Sequence, residues 1–169
     1  MTRIFSVIAL ACFVGTAAVS AQMKHVDLKD AKGNSVGMAM ISPAKGGGVS
    51  IDLDVKGLPP GEHALHFHAV PKCEPPFTSA GSHFNPANKK HGEQIPEGPH
   101  AGDMPNFTVD AKGVAKTTVV NKNVTMGAEP NSIYANGGTA LMIHAAADDM
   151  KTDPSGNAGD RIVCGVVTK

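Results

Sequence analysis

"EHALHFHAV", residues 62 to 70, decides how the chain is read, because it gathers three of the eight histidines of a 169-residue protein into one short run. Side chains on a β-strand alternate between faces, so His66 and His68 share one face while Leu65 and Phe67 share the other. An apolar face suits a core. A histidine face suits either plain solvation or a bound ion, and these few residues alone leave both readings open.

Outward from this stretch the grain of the chain is β. "KHVDLKD" (24 to 30), "SVGMAMI" (35 to 41), "GVSIDLDV" (48 to 55), "NFTVD" (106 to 110), "GVAKTTVV" (113 to 120), "TALMIHA" (139 to 145) and "RIVCGVVT" (161 to 168) join the opening stretch as eight candidate strands. Turn residues separate them in "KGN", "PAKGGG", "KGLPPGE" and "DAKG". No useful length has helical periodicity, so the pattern predicts an all-β, eight-stranded antiparallel sandwich or flattened barrel.

Two segments, 71–105 and 145–160, break this rhythm. Both are polar, rich in Gly, Pro and Asn, and too long for hairpin turns, and long ordered loops of this kind usually carry function. The first holds His83, His91, His100 and Asp103, and His144 ends a strand beside the second. Imidazole and carboxylate suit zinc and copper, and His100 and Asp103, three residues apart in a loop, can fold onto one ion.

The N-terminus "MTRIFSVIALACFVGTAAVSAQ" has the three parts of a secretory leader: Arg3, an apolar run from Ile4 to about Val14, and small residues ending Val19-Ser20-Ala21. Cleavage after Ala21 leaves a single domain over 22–169, exported and not held in a membrane, because the apolar run is too short to span one. A lipid attachment at Cys12 fits poorly, since the apolar run continues past it. The net charge is zero, which argues against a nucleic-acid partner. Of three cysteines, only Cys73 and Cys164 lie outside the leader, and an isolated pair in an oxidising compartment reads as one disulfide.

Taken together and in order, "HALHFH", "SAGSHFNP", "KHG", "HAGDMPN", "MIHAAADD" and "GNAGDRIVCGVV" resemble the successive motifs of the copper,zinc superoxide dismutases, from about Met38 to Val167. The resemblance implies a Greek-key β-sandwich. It implies one copper per subunit on His66, His68, His83 and His144, and one zinc on His83, His91, His100 and Asp103, with the His83 ring bridging the two. It makes Asp148 the outer carboxylate joining a copper histidine to a zinc histidine. Cys73 and Cys164 match the family's disulfide, and Arg161 matches the arginine over the copper, which with His83 would serve catalysis. The implied substrate is superoxide, a small anion, handled by a monomer or homodimer. Ala69, Ala145 and the short segment "AAADDMKTDPSGNAGDR" look like the bacterial, periplasmic branch, so a periplasmic location is expected.

Several residues receive plainer readings. Lys72, Lys89, Lys90 and Lys151 are candidates for guiding the anion. His63 reads as a buried, hydrogen-bonded brace and His25 as an exposed side chain near the mature terminus. Met38, Met40, Met126 and Met142, at strand spacing, read as core filling.

Overall fold

A computed structural model describes residues 23–169; the expected leader and its expected cleavage point lie outside the described residues. Nine strands form: β1 (Lys24–Asp30), β2 (Ser35–Pro43), β3 (Val49–Lys56), β4 (Gly61–His63), β5 (Leu65–His68), β6 (Phe107–Val109), β7 (Val114–Asn121), β8 (Thr139–His144) and β9 (Arg161–Val167). Apart from two single 3-10 turns the regular structure is β, as the alternating patterns require. In β3, for example, Val49, Ile51, Leu53 and Val55 are buried while the residues between them are not. Among the described residues, no helix is long and apolar enough to cross a membrane.

Seven strands build one antiparallel sheet in the order β5-β8-β9-β1-β2-β3-β7, and β4 pairs with β6 as a two-stranded ribbon. The sequence pattern counted eight strands because it ran residues 62 to 70 together. The chain instead leaves the β ladder at Ala64, whose N–H donates to Ala146 O (2.9 Å) and whose carbonyl accepts from His144 N (3.0 Å). The two halves then pair in different directions, β4 with β6 and β5 with β8.

This break closes the architecture. β4 runs directly into β5 at one edge of the sheet, and β6 turns through Asp110–Gly113 into β7 at the other, so the ribbon links the two edges into a flattened barrel. Its interior is filled by Val26, Leu28, Ile41, Ile51, Leu53, Leu65, Phe67, Leu141, Ile143 and Val163, all at most 2 % exposed. Each such side chain contributes roughly 1.5–3 kcal/mol through burial.

The two long loops appear as expected, and a third long connection, 122–138, carries the chain from β7 across to β8. It is the Greek-key crossing. The first loop is tied to the last strand by the Cys73–Cys164 disulfide, which joins residues 91 apart. Met142 is buried and Met126 packs against the core, but Met38 and Met40 do not fill it: both lie on the outward face of β2, with Met38 45 % exposed.

Candidate metal centre

Register places the histidines. His66 pairs with Met142 and His68 with Ala140 across β5 and β8, so these residues share the outer face of the sheet, and His144 follows on that same face two residues beyond Met142. The other face of β5 sends Leu65 and Phe67 into the core. All four β5 side chains are buried because the first loop folds back over the histidine face, where His83 forms an isolated β-bridge with His68.

One cluster contains His66, His68, His83 and His144, and a second contains His83, His91, His100 and Asp103. In each, the ligand atoms lie within 4.8 Å of one another and every residue is buried. His83 belongs to both. The outward ring nitrogens show which atoms remain for an ion. His66 Nε2 donates to Asp148 Oδ2 (2.8 Å), His68 Nδ1 to Gly81 O (2.9 Å) and His144 Nδ1 to Gly159 O (3.2 Å). That leaves His66 Nδ1, His68 Nε2, His144 Nε2 and His83 Nε2 facing one point. His66 Nδ1 and His83 Nε2 are buried with no hydrogen-bond partner, as is His91 Nδ1 in the second cluster. Orphaned buried nitrogens of this kind are costly unless something fills the space they face.

The second cluster has the dimensions of a tetrahedral ion. Bonds of about 2.0–2.1 Å require neighbouring donors about 3.3–3.4 Å apart. His83 Nδ1 lies 2.9 Å, and His100 Nδ1 3.3 Å, from Asp103 Oδ1, and the two ring nitrogens are 3.5 Å apart. His91 Nδ1 lies 3.1 Å from Asp103 Oδ2 but is not aligned for a hydrogen bond, a close approach that suits a shared ion better than a shared proton. Asp103 Oδ2 is held by the backbone N–H groups of Gly92 (3.1 Å) and His100 (2.9 Å), which aims Oδ1 inward. The residues present therefore fit zinc in the second cluster and copper in the all-imidazole first.

Electrostatics prepare three rings of the first cluster. Burial pushes His68 well below its ordinary value, His83 down to about 4 and His144 to about 3, so these rings are neutral, the form that binds metal. At His91 burial also opposes charge, but the carboxylates of Asp103 and Asp148 outweigh it and raise the ring to about 9. Burial of Asp103 and Asp148 is likewise overcome by the histidines hydrogen-bonded to them, and both carboxyls are held well below the usual range.

Asp148 spans the two clusters, with Oδ2 on His66 and Oδ1 on His91 Nε2 (3.0 Å). Arg161, at the start of β9, is half-buried, and its guanidinium donates to Phe77 O and Gly81 O, each at 2.7 Å. The Gly81 carbonyl thus accepts from both Arg161 and His68, fixing the positive charge relative to the first cluster. His63 is the expected brace, with Nδ1 2.7 Å from His144 O and Nε2 2.8 Å from Pro59 O. His25 and the four lysines, Lys72, Lys89, Lys90 and Lys151, are exposed.

Sequence reasoning missed the residues that hold the loops. Asn106 exchanges two 2.9 Å hydrogen bonds with the Asp148 backbone. Asn121 donates to Ala101 O (2.9 Å) and Asp103 O (3.2 Å), and Asp153 Oδ1 accepts from the His91 backbone N–H (2.7 Å). Gly156 packs where any Cβ would overlap Asp148 Oδ1 and lie 2.7 Å from His91 Nε2. The "PN", "DP" and "SG" pairs at Asn106, Asp153 and Gly156 mark turns, but nothing in their spacing names a partner.

The model of the family described as copper/zinc superoxide dismutase matches residues 35–167. A relative described as superoxide dismutase [Cu-Zn] 2 from Aquifex aeolicus is 47% identical over 171 residues, covering 99% of each chain. Among solved structures, a SOD-like protein from Bacillus subtilis aligns with a TM-score of 0.81 at 38% identity, covering 85% of this chain and 97% of that one. The Cu/Zn superoxide dismutase from Brucella abortus aligns with a TM-score of 0.70 at 31% identity, covering 86% and 99%. With a family match over most of its length and 47% identity to a dismutase over nearly the whole chain, the chain belongs to the copper/zinc superoxide dismutases, enzymes whose cofactors are copper and zinc.

Proposed function

We propose that this protein dismutes superoxide in the periplasm, with copper held by His66, His68, His83 and His144, and zinc by His83, His91, His100 and Asp103. The observation that carries this reading is the single buried ring, His83, whose two nitrogens face two different donor sets. A solved neighbour is described only as SOD-like, so the fold alone does not carry the activity; the donor sets and Arg161 do.

Copper, when bound, supplies the one-electron exchange by which one superoxide leaves as dioxygen and a second, with two protons, as hydrogen peroxide. The protein's own residues do the rest. His83 Nε2 faces the reaction space and can carry a proton to the forming peroxide, while Nδ1 stays anchored among the zinc donors. Asp148 fixes the tautomer and tilt of His66 and His91 together. Arg161 presents a fixed charge that attracts and orients a small anion, which it can do only while Phe77 O and Gly81 O hold its guanidinium in place. Exposed Lys72, Lys89, Lys90 and Lys151 add to the field that guides the anion inward. Export accords with the disulfide and with the leader pattern, and either a monomer or a homodimer would serve.

A metal-buffering protein on this fold would need the donors but not Arg161. The deciding experiment loads the mature protein with one copper and one zinc and follows superoxide decay beside Arg161→Ala and His83→Ala. Dismutation that slows with ionic strength, falls by roughly tenfold or more in Arg161→Ala and collapses in His83→Ala supports the enzyme. Full metal binding without dismutation overturns it.

A further inference from the structure

From the outward face of β1 and β2 we infer that the chain carries a further, solvent-facing metal site for a soft monovalent ion, Cu(I), built from Met38, Met40 and His25. This goes beyond the dismutase reading and rests on it only for the copper that fills the buried centre. In β1, Val26 and Leu28 point into the barrel and His25 and Asp27 point out; in β2, Ala39 and Ile41 point in and Met38 and Met40 point out. The register sets His25 directly opposite Met40, and Asp27 directly opposite Met38. Met23, 57 % exposed, continues the outward side of β1 by one more alternation.

Directly opposed side chains on one face start about 4.5–5.5 Å apart at Cβ. Same-face neighbours along a strand start roughly 6.5 Å apart. A methionine has three rotatable bonds beyond Cα, so the thioethers of Met38 and Met40 and a ring nitrogen of His25 can converge on one ion above the sheet. Two thioethers and an imidazole form a neutral, soft donor set. It suits Cu(I), and it has neither the oxygen ligands that calcium and magnesium take nor the thiolate or carboxylate usual for zinc. Asp52 flanks Met40 and Asp54 flanks Met38 on the side away from β1, so with Asp27 the surroundings favour a cation. Lys116 pairs with Asp54 at 2.9 Å and Lys56 lines the same hollow as Asp27, Met38 and Asp54, so Asp27 and Asp52 are the carboxylates of this face without an ion pair among the described residues.

A lone exposed apolar side chain needs no explanation. Here two thioethers sit on the same outward face, two residues apart, with an imidazole opposite one of them. Exposed thioethers are readily oxidised to sulfoxides, so in an oxidising compartment their outward placement is a liability. Coordination of copper gives it a use, because it gathers the reduced ion on the surface of a chain whose buried centre needs copper. The site is separate from that centre: β1 and β2 lie beyond β9 from the β8 and β5 histidines.

The test uses the mature protein with its buried centre already filled with copper and zinc and kept reduced. Cu(I) is titrated anaerobically against a chromogenic Cu(I) chelator, and Ag(I) serves as a redox-silent probe in NMR of methyl-labelled methionine. The expected result is one additional Cu(I) per chain. Ag(I) should shift the Met38 and Met40 methyls and the His25 ring, while the buried Met104 and Met142 methyls stay unmoved. Met38→Leu/Met40→Leu, which keeps apolar bulk at surface positions, should lose the extra ion and leave dismutation unchanged. Absence of an additional ion in the unaltered protein overturns the proposal. So does its retention in the double variant, or an Ag(I) response confined to Met23.

Discussion

Replacing Gly156 by alanine tests whether the metal centre depends on close backbone approach in the second long loop. The added Cβ would overlap Asp148 Oδ1 and lie 2.7 Å from His91 Nε2, at a backbone φ of +64°. The left-handed conformation itself costs alanine about 1–2 kcal/mol. The overlap adds a different effect, because Asp148 must move and its hydrogen bonds to His66 and His91 are lost together. Losing an outer partner of a metal-binding histidine weakens metal affinity by roughly 10–100-fold. Asp148 serves one histidine in each donor set, so copper and zinc should each weaken by about that factor. The assay is chelator competition for each metal, with urea unfolding of the metal-free protein run alongside. Gly33→Ala is the control: its φ is +82° but nothing lies within 4 Å of the added Cβ, so it should cost stability without touching metal affinity. Gly156→Ala protein that holds both metals at the original affinity would refute the reasoning.

In Cys73→Ser, loss of a closure between residues 91 apart should lower stability by up to about 4–5 kcal/mol. It should also loosen copper, because the loop it anchors supplies Gly81 O to both His68 and Arg161; unchanged copper affinity would count against this. For chelator-stripped protein, the depressed pKa values of His83 (about 4) and His144 (about 3) mean stability is lost as pH falls below the ordinary histidine value near 6.5. The raised value of His91 (about 9) means a smaller stabilisation is lost as pH rises from 6.5 to 9. The urea midpoint should therefore peak near neutrality and fall more steeply on the acid side, and a midpoint still climbing between pH 7 and 9 would contradict these assignments. Asp153→Ala should weaken zinc by roughly tenfold, whereas Asp153→Asn, which keeps an acceptor for the His91 N–H, should retain it; equal zinc affinities in the two variants would remove Asp153 from the centre.

The strands were readable because most bury one face and expose the other, as the Val49–Val55 alternation does. The residues of the two clusters were readable because their order resembles a family's, although spacing alone put only His66 and His68 on one face. The break at Ala64 was hidden inside a run apolar enough to pass for one strand. It depends on hydrogen bonds to His144 and Ala146, far away in the chain. Asn106, Asn121, Asp153 and Gly156 were invisible for a similar reason, since each acts on backbone or carboxylate groups brought near only by the folded loops. Met38 and Met40 were misplaced because "GMAMI" is apolar at nearly every position, and only the register of β2 against β1 and β3 settles which side faces the core.

The two donor sets also differ in how much of the chain must be in place before they exist. The donors proposed for zinc all come from the stretch between His83 and Asp103, so a single modest loop closure can gather them. The donors proposed for copper run from His66 to His144 and need β8 laid against β5, a pairing between distant parts of the chain whose closing entropy is higher. Cys164 emerges later still, on the final strand. With export as proposed, N-terminus first across a membrane, the zinc half can organise while the C-terminal part is still in transit, and the copper half becomes available only when export is nearly complete.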